Sequence, residues 1–286
     1  MTKTILKSYS KINLFLNVGK KNIRSKLHNV QSLVCLINIY DTIVISRIRA
    51  NRDIVKFSGK FSSYVHKKKN SVTKCLLLLR SKGIIKKNQN FKVTIQKNIP
   101  VFSGLGGGSS NSATLIKYFG SGRRFYEKDI SSFSRNLGSD CRLFFGSNQI
   151  FQKNINKIIN IKKKLNFYLV VVYPFLKSST KEVYSKIKFS KNLKQKSFDG
   201  NRFQLKTIDD LKYEENFLER IVIGKFPVIQ KILYQLETMR NCQFSRVTGS
   251  GSACFGLFLT KKSADLALIK IKKKFPKFWC VVGKTI

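Results

Sequence analysis

Acidic residues are scarce in this chain. Its 286 residues include 14 aspartates and glutamates against 56 lysines and arginines, which gives a formal net charge of +42. An excess of this size commonly marks a nucleic-acid or membrane partner. The basic residues are nevertheless spread along the whole chain, and runs such as Lys67–Lys69 and Lys272–Lys274 are short. Three explanations therefore stay open: a bias in the coding DNA, an anionic small substrate and a nucleic acid.

Paired cysteines and long apolar runs are also missing. No CxxC pair occurs, so the sequence predicts no zinc site. Lys3 and Lys7 are followed by no long apolar core, which predicts that there is no secretory signal peptide. Stretches such as Phe167–Pro174 are too short to cross a bilayer, so we expect a cytoplasmic protein with no membrane partner. Most cysteines have apolar neighbours, as buried thiols in a reducing compartment do; they are Cys35, Cys75, Cys141, Cys242, Cys254 and Cys280.

Apolar residues are plentiful enough to build a core. Hydrophobic residues make up 42% of the chain and aromatic residues 12%, which excludes a disordered protein. The length allows two compact domains. The polar stretch at about residues 152–164 marks either a domain boundary or a surface hairpin, and the polar residues 190–210 predict a flexible connection. Strand patterns occur at about residues 12–18, 42–48, 91–96, 167–173, 244–247, 254–259 and 278–282, and helix patterns at about 71–82, 109–119, 128–137, 179–188, 214–224, 227–239 and 261–274. This mixture in both halves predicts an α+β or α/β protein.

A glycine-rich segment runs from Pro100 to Asn111, and four of the five positions 104–108 are glycine. Glycine permits positive φ and a close approach of the backbone to a ligand. Successive N–H groups can then converge on an anion, and the predicted helix that follows adds N–H donors at the positive end of its dipole. Ser109 or Ser110 would cap that helix, and their hydroxyls can contact a phosphate or a metal bound to it. A flexible linker or tight turn is the alternative.

Three shorter polar clusters are weaker signals. Thr248–Ala253 joins two strand-like stretches and predicts either a hairpin turn or a second phosphate-contacting loop. Lys11 and Asn13 lie on one face of a predicted strand, where they either face a site or belong to an ordinary alternating strand. Asp140 is one of the few acidic residues, and it is either a helix cap or a buried carboxylate that accepts a hydroxyl proton.

Taken in order, these segments resemble the GHMP kinase superfamily, which includes galactokinase, homoserine kinase and mevalonate kinase. Lys11–Leu16 resembles the first motif of the family, Pro100–Ala113 its ATP motif, Val247–Cys254 its third motif and Leu137–Phe145 its catalytic aspartate segment. The resemblance is greatest to members that phosphorylate a cytidine-bearing alcohol in the non-mevalonate isoprenoid pathway. Further matches are His28–Ser32, Asp41–Ile43, Pro174, Thr180 and Asn216–Glu219.

The resemblance implies an α+β, two-domain GHMP kinase fold with the active site in the cleft between the domains. An ATP-binding domain is expected at residues 1–155 and a second domain at 156–286. ATP is the implied co-substrate, Mg²⁺ the implied metal and a small alcohol the implied substrate. A nucleic-acid partner is not expected. Both a monomer and a homodimer stay open.

The family also implies roles for individual residues. Asp140 would take or orient the proton of the acceptor hydroxyl, and Lys11 would lower the pKa of Asp140 and steady charge near the transferred group. The residues expected to bind the acceptor are Asn13, His28, Thr180, Tyr184, Gly249 and Ser250. Those expected to bind ATP are Pro100, Val101, Phe102, Ser103, Gly104, Leu105, Gly106, Gly107, Gly108, Ser109 and Ser110.

Some positions depart from the family pattern. Leu27 stands where the family has an aromatic residue that stacks on the cytosine, and Cys141 and Arg142 replace the usual Val-Pro after the aspartate. These changes concern fine geometry rather than the type of reaction. Two other functions stay open, namely a GHMP kinase for a different small alcohol and a basic RNA-binding protein, although no RNA-binding motif is found.

Overall fold

The computed structural model describes residues 2–21, 27–162, 164–188 and 208–286. These residues form a mixed α+β structure, as the sequence predicts. The strands are β1 (Lys3–Lys21), β2 (His28–Ile48), β3 (Ile54–Ser58), β4 (Asn90–Gln96), β5 (Gln149–Asn154), β6 (Lys157–Asn160), β7 (Tyr168–Tyr173), β8 (Phe244–Val247), β9 (Cys254–Phe258) and β10 (Trp279–Lys284). The helices are α1 (Ser71–Ser81), α2 (Gly107–Phe119), α3 (Glu127–Leu137), α4 (Thr180–Ser185), α5 (Ile208–Lys212), α6 (Glu219–Lys225), α7 (Val228–Glu237) and α8 (Lys261–Lys274). None of these helices has the length and hydropathy needed to span a membrane.

Two compact units interleave along the chain. The first contains the described parts of Met1–Ser10, Ile39–Val101 and Gly106–Gly146. The second contains the described parts of Lys11–Asn38, Phe102–Leu105 and Ser147–Ile286. The long strands β1 and β2 therefore contribute residues to both units. The domain boundary between residues 155 and 156 stays a prediction.

The first unit supports helix α2. Its sheet has β4 between β3, which is parallel to it, and residues 42–48 of β2, which are antiparallel to it. Helix α1 begins after Asn70, whose side chain accepts a 2.8 Å hydrogen bond from the Thr73 N–H and so caps the helix. Helices α1 and α2 pack together, and a 3-10 helix at Ser139–Phe144 packs against α2. The glycine-rich segment thus enters a helix that is held on several sides.

The second unit is built on a four-stranded antiparallel sheet in the order β10, β7, β9, β8. Strand β7 lies inside this sheet and five of its six residues are buried, which explains its continuous apolar sequence. Helix α7 packs on β8 and β9, and α8 packs on β7 and β10. The packed sheet holds both ends of the turn between β8 and β9, which is the Gly/Ser cluster Thr248–Ala253.

The structure corrects or refines four predictions from the sequence. Helix α2 begins at Gly107 with Gly106 as its N-cap, so the prediction of Ser109 or Ser110 as the cap is wrong. Helix α6 begins later than the predicted 214–224 helix, because Asn216 instead forms a parallel β-bridge with Leu16. The hairpin alternative for residues 152–164 is confirmed by the antiparallel pairing of β5 with β6. Of the predicted flexible connection, residues 190–207 lie outside the described part of the chain, and Ile208–Lys212 is helical.

Candidate active site

The N-terminus of α2 lies in the first unit and carries the last part of the glycine-rich segment. Gly106 has φ = +71°, the left-handed conformation that glycine tolerates best. The Ser110 N–H bonds to the Gly106 carbonyl at 2.9 Å, whereas the preceding N–H groups of the first turn have no acceptor within the helix. Gly108 is exposed. This arrangement of donors fits a phosphate group, because unpaired amides and the helix dipole both favour an anion.

Ser109 and Ser110 differ in their surroundings. Ser110 is buried, and its hydroxyl donates to the Tyr9 carbonyl at 2.6 Å while lying 2.7 Å from the Ser8 hydroxyl. Ser109 is half-buried, and its hydroxyl lies 3.8 Å from the point at which a Cβ on Gly138 would stand. Ser110 therefore secures the helix to the N-terminal strand, which leaves Ser109 as the better placed hydroxyl for a phosphate or its metal.

The earlier part of the segment, Phe102–Leu105, belongs to the second unit and meets the turn Thr248–Ala253 there. The Ala253 N–H donates to the Ser103 carbonyl at 2.9 Å. Gly104 has φ = +83°, and a Cβ at this position would lie 2.2 Å from the Thr248 carbonyl oxygen. Only glycine fits at such a distance. The two Gly/Ser clusters of the sequence are therefore packed against each other at Gly104.

Lys11 and Asn13 lie next to the same turn, so their predicted position on one strand face is confirmed. Both side chains are buried, and the Lys11 ammonium donates to the Asn13 carboxamide oxygen. The Asn13 N–H donates to the Thr248 hydroxyl at 3.1 Å. A Cβ on Gly249 would lie 3.0 Å from Lys11 Nζ and 3.3 Å from Asn13 Oδ1. A side chain at position 249 would therefore crowd the Lys11 ammonium and the Asn13 carboxamide.

Helix α4 contacts the other residues that were predicted to bind the acceptor alcohol, Ser250 and His28. Thr180 and Tyr184 are four positions apart, so they lie on one face of this helix. The Thr180 hydroxyl lies 2.9 Å from the Ser250 hydroxyl, and the Tyr184 ring lies 5.7 Å from the His28 ring. Within the second unit, contacts through α4 therefore connect Ser250 to His28.

The tautomer of His28 follows from its backbone contact. Its Nδ1 lies 2.9 Å from the Gly19 carbonyl oxygen, which can only accept a hydrogen bond. Nδ1 therefore carries the proton, and Nε2 is the acceptor nitrogen of the neutral ring. Leu27, the preceding residue, is 51% exposed, so the position that is aromatic in the family faces solvent here as an aliphatic side chain.

Asp140 lies in the first unit, within the 3-10 helix Ser139–Phe144. The N-cap of that helix is Gly138, so the helix-cap alternative for Asp140 is not borne out. The Asp140 side chain is half-buried rather than fully buried. Burial, and to a lesser extent the charge of Asp140, raise the pKa of the neighbouring Cys141 thiol to about 12. A partly accessible carboxyl group suits a role in receiving a proton.

Some residues near these clusters were given no role from the sequence, although most of them lie in segments that resemble the family. Ser32 accepts a 2.7 Å hydrogen bond from the Asn13 carboxamide, which orients that side chain. The Asn216 carboxamide donates to the Val247 and Gly249 carbonyls, both at 2.8 Å, and so fixes the turn beside Lys11. In the first unit, Asp41 and Lys97 form a buried ion pair. Strand register could have predicted that pair, because Thr42 opposes Gln96 and the next residues of the antiparallel strands are Asp41 and Lys97.

Comparison with known proteins identifies relatives of this chain. Residues 70–140 match the family described as GHMP kinases N terminal domain. The chain is 35% identical to the 4-diphosphocytidyl-2-C-methyl-D-erythritol kinase of Pelagibacter ubique (strain HTCC1062), with 98% of each chain covered. It is similar to a crystal structure of 4-(cytidine 5'-diphospho)-2C-methyl-D-erythritol kinase, with a TM-score of 0.72, 20% identity, and coverage of 99% of this chain and 100% of that one. Homoserine kinase from Cytophaga hutchinsonii shares the fold at a TM-score of 0.70 and 15% identity, with coverage of 100% of this chain and 95% of the other.

The full-length similarity confirms the resemblance expected from the motifs. It extends through both units, including the segments that contain Lys11, His28, Asp140 and Thr180. The chain belongs to the GHMP kinases, in the 4-diphosphocytidyl-2-C-methyl-D-erythritol kinase family.

Proposed function

We propose that this chain transfers the γ-phosphoryl group of ATP to a hydroxyl of 4-diphosphocytidyl-2-C-methyl-D-erythritol. The proposal rests mainly on one observation: in the second unit, the residues proposed to bind the acceptor alcohol are linked by direct contacts. Lys11 and Asn13 lie beside Gly249, and Ser250 is connected through α4 to the His28–Tyr184 ring pair. These residues offer a charged group, Lys11, near the reacting hydroxyl and an aromatic pair, His28 and Tyr184, for a base. This arrangement suits an acceptor substrate that carries both an alcohol and a cytidine.

The phosphates of ATP would bind at the first turn of α2. The N–H groups of Gly107, Gly108 and Ser109 supply donors there, and the exposed Gly108 lets the nucleotide approach the backbone. Mg²⁺ would neutralise phosphate charge when bound, and Ser109 is the hydroxyl of this segment proposed to contact it. Among the described residues, no three His, Cys, Asp or Glu side chains gather as a metal site. Such a site would not be required, because Mg²⁺ is usually held by substrate phosphates with one or two protein ligands.

Phosphoryl transfer depends mainly on positioning and on stabilising charge. Asp140 would accept the proton of the acceptor hydroxyl as the oxygen attacks the γ-phosphorus. The Lys11 ammonium, which Asn13 orients, would stabilise negative charge on the transferred group. These two roles remain proposals for named residues of this chain.

The cytosine would be recognised by His28 and Tyr184. Nε2 of His28 is an acceptor in the neutral tautomer, so it can receive a hydrogen bond from the exocyclic amino group of the base. Tyr184 offers a ring face for stacking, and an aromatic contact of this kind contributes about 1 kcal/mol. Because Leu27 cannot stack as an aromatic ring does, the base would be held more firmly on one face than on the other.

We also propose a reducing, cytoplasmic location. All six cysteines are free, and five of them are buried, as expected of thiols kept reduced.

The test is a comparison of acceptors. Purified protein is incubated with ATP and Mg²⁺, and ADP formation is followed with the cytidine-bearing alcohol, with 2-C-methyl-D-erythritol 4-phosphate, with mevalonate and with homoserine. We expect ADP and a phosphorylated product with the cytidine conjugate alone. Equal turnover of the free methylerythritol phosphate would contradict the cytidine assignment, and turnover of mevalonate or homoserine instead would identify a different GHMP kinase activity.

A further inference from the structure

Asp41 is a completely buried carboxylate at the point where β2 passes the glycine-rich segment in the first unit. Its oxygen Oδ1 accepts the backbone N–H groups of Asn98 and Ile99 at 2.8 and 2.9 Å. Its oxygen Oδ2 accepts the Asn111 carboxamide at 3.0 Å and the Lys97 ammonium. Every one of these donors is close in sequence to the glycine-rich segment. Asn98 and Ile99 precede it, and Asn111 follows its last serine.

The contacts of Asp41 reach the first turn of α2 by two routes. Asn111 also donates to the Ser8 hydroxyl at 3.0 Å, and Ser8 lies 2.7 Å from the hydroxyl of Ser110. The Lys97 ammonium lies 3.3 Å from the point at which a Cβ on Gly107 would stand, and it also contacts the Asn111 carboxamide oxygen at 3.3 Å. One carboxylate therefore connects the entry of the glycine-rich segment to its exit.

The hydrogen bonds of Asp41 use its full capacity. A carboxylate has about four lone-pair positions and no proton to donate, and four donors meet it here. A carboxamide in the same place would turn an NH₂ group either toward the two backbone N–H groups or toward Lys97 and Asn111. In both orientations donors would face donors, and at least one end of the segment would have to move.

We propose that Asp41 is a positioning residue for nucleotide binding, which fixes both ends of the glycine-rich segment and so keeps the first-turn amides of α2 directed at the phosphates. The inference rests on the proposed binding of ATP at α2. It assigns Asp41 no contact with ATP, since the carboxylate is buried beneath the segment.

The experiment compares wild type with Asp41→Asn and with a matched control, Asp53→Asn. Asp53 lies in the same unit and also accepts a backbone N–H, that of Phe91 at 2.9 Å, together with a cation, Arg80. Asp53 has no hydrogen bond to the glycine-rich segment among the bonds found in the described residues. Titration calorimetry measures the affinity for a non-hydrolysable ATP analogue. Hydrogen exchange without nucleotide measures opening at residues 98–111, and circular dichroism verifies folding.

We expect Asp41→Asn to weaken nucleotide binding by about ten- to a hundredfold, because a small misplacement of positioning groups has effects of this size. Its amides at residues 98–111 should exchange faster than in wild type, while acceptor binding is retained. Asp53→Asn should bind the nucleotide as wild type does. A folded Asp41→Asn protein with wild-type nucleotide affinity and wild-type exchange would overturn the inference.

Two further results separate this inference from the proposed function. If wild type itself fails to bind the nucleotide, the proposed function is wrong, and faster exchange in Asp41→Asn still supports the role of Asp41 in holding the segment. Asp41→Asn leaves Lys97 without its carboxylate. If this variant does not fold, it is replaced by Asn111→Ala, which keeps the Asp41–Lys97 ion pair. Asn111→Ala should bind the nucleotide more weakly and exchange faster at the start of α2, and no change in either measurement would overturn the inference.

Discussion

Gly106 shows what a single residue contributes to the proposed nucleotide site. Its φ of +71° is the left-handed conformation, and it forms the N-cap of α2. We predict that Gly106→Val weakens ATP binding by more than about tenfold, because a β-branched residue in this conformation costs about 1–3 kcal/mol of strain and its side chain would crowd the first-turn amides. Titration calorimetry with an ATP analogue measures the effect.

Gly83→Val is the matched control for that variant. Gly83 also has positive φ, at +65°, and a Cβ there would meet no atom within 4 Å. The control should lose stability through the same backbone strain and still bind ATP normally. Equal ATP affinity in folded Gly106→Val and wild type would refute the assignment of the segment.

Asp140 gives the second prediction at this scale. Asp140→Asn keeps the size of the side chain and removes its ability to accept a proton, so turnover should fall by roughly 10²–10⁴-fold while ATP affinity is largely retained. Steady-state kinetics and calorimetry measure the two quantities. Asp129→Asn, a change in the capping box at the start of α3, is the control and should leave turnover near the wild-type value. Near-normal turnover in Asp140→Asn would show that this carboxylate is not the proton acceptor.

His28 concerns the acceptor rather than the nucleotide. We predict that His28→Ala raises KM for the cytidine-bearing alcohol, because the variant removes the Nε2 acceptor and the ring beside Tyr184. Affinity for ATP should stay unchanged, which serves as an internal control. Leu27→Tyr should keep or improve acceptor affinity by adding an aromatic face. If His28→Ala leaves KM for the acceptor unchanged, the cytosine contact has been assigned to the wrong residue.

At the scale of single elements, helix ends decide which residues reach the site. The start of α2 at Gly107 turns Ser110 inward, to Tyr9 and Ser8. In α4, the spacing of four residues places Thr180 and Tyr184 on one face, so this short helix connects the turn at Ser250 to His28. Strand register also decides which residues meet. The pairing of β2 with β4 places Asp41 opposite Lys97, and the two form an ion pair.

Helix α8 offers a test of how the second unit is stabilised. Thr260 is its N-cap, and the Thr260 hydroxyl accepts the Ser263 N–H at 3.2 Å. We expect Thr260→Ala to lower the free energy of unfolding by about 1 kcal/mol. Thr260→Ser retains the hydroxyl and should stay close to wild type. Urea denaturation followed by circular dichroism measures the difference, and equal stability of the two variants would show that the cap contributes nothing.

At the scale of the whole molecule, burial controls the chemistry of the cysteines. Desolvation raises the pKa of Cys35 and of Cys242 to about 12, and it raises the pKa of Cys75 and Cys254 as well. These thiols therefore stay protonated at about pH 8, and the thiolate is the reactive form. We predict slow reaction of the native protein with a disulfide reagent and prompt reaction of six thiols in guanidinium chloride. Fast reaction of several thiols in the native protein would mean that the core opens readily.

Much of the local structure could be predicted from the sequence, because periodicity and turn residues act over short distances. The run Tyr168–Tyr173 predicts a buried strand, and the glycine-rich segment predicts a loop that leads into a helix at that place. The cap of α2 could not be predicted in this way. Gly106 and Ser109 are both acceptable N-caps, and the bonds of Ser110 to residues about a hundred positions away favour the earlier start.

By itself, the sequence determined the classes of element, the glycine-rich segment and the order of motifs that indicates a GHMP kinase. Only the tertiary structure decided which of the polar residues meet. Asn13 bonds to Thr248, 235 positions away. Asp41 joins Asn98, which precedes the glycine-rich segment, to Asn111, the last residue of that segment. Such contacts depend on strand order and register, and these are set by packing of the whole unit rather than by the preferences of neighbouring residues.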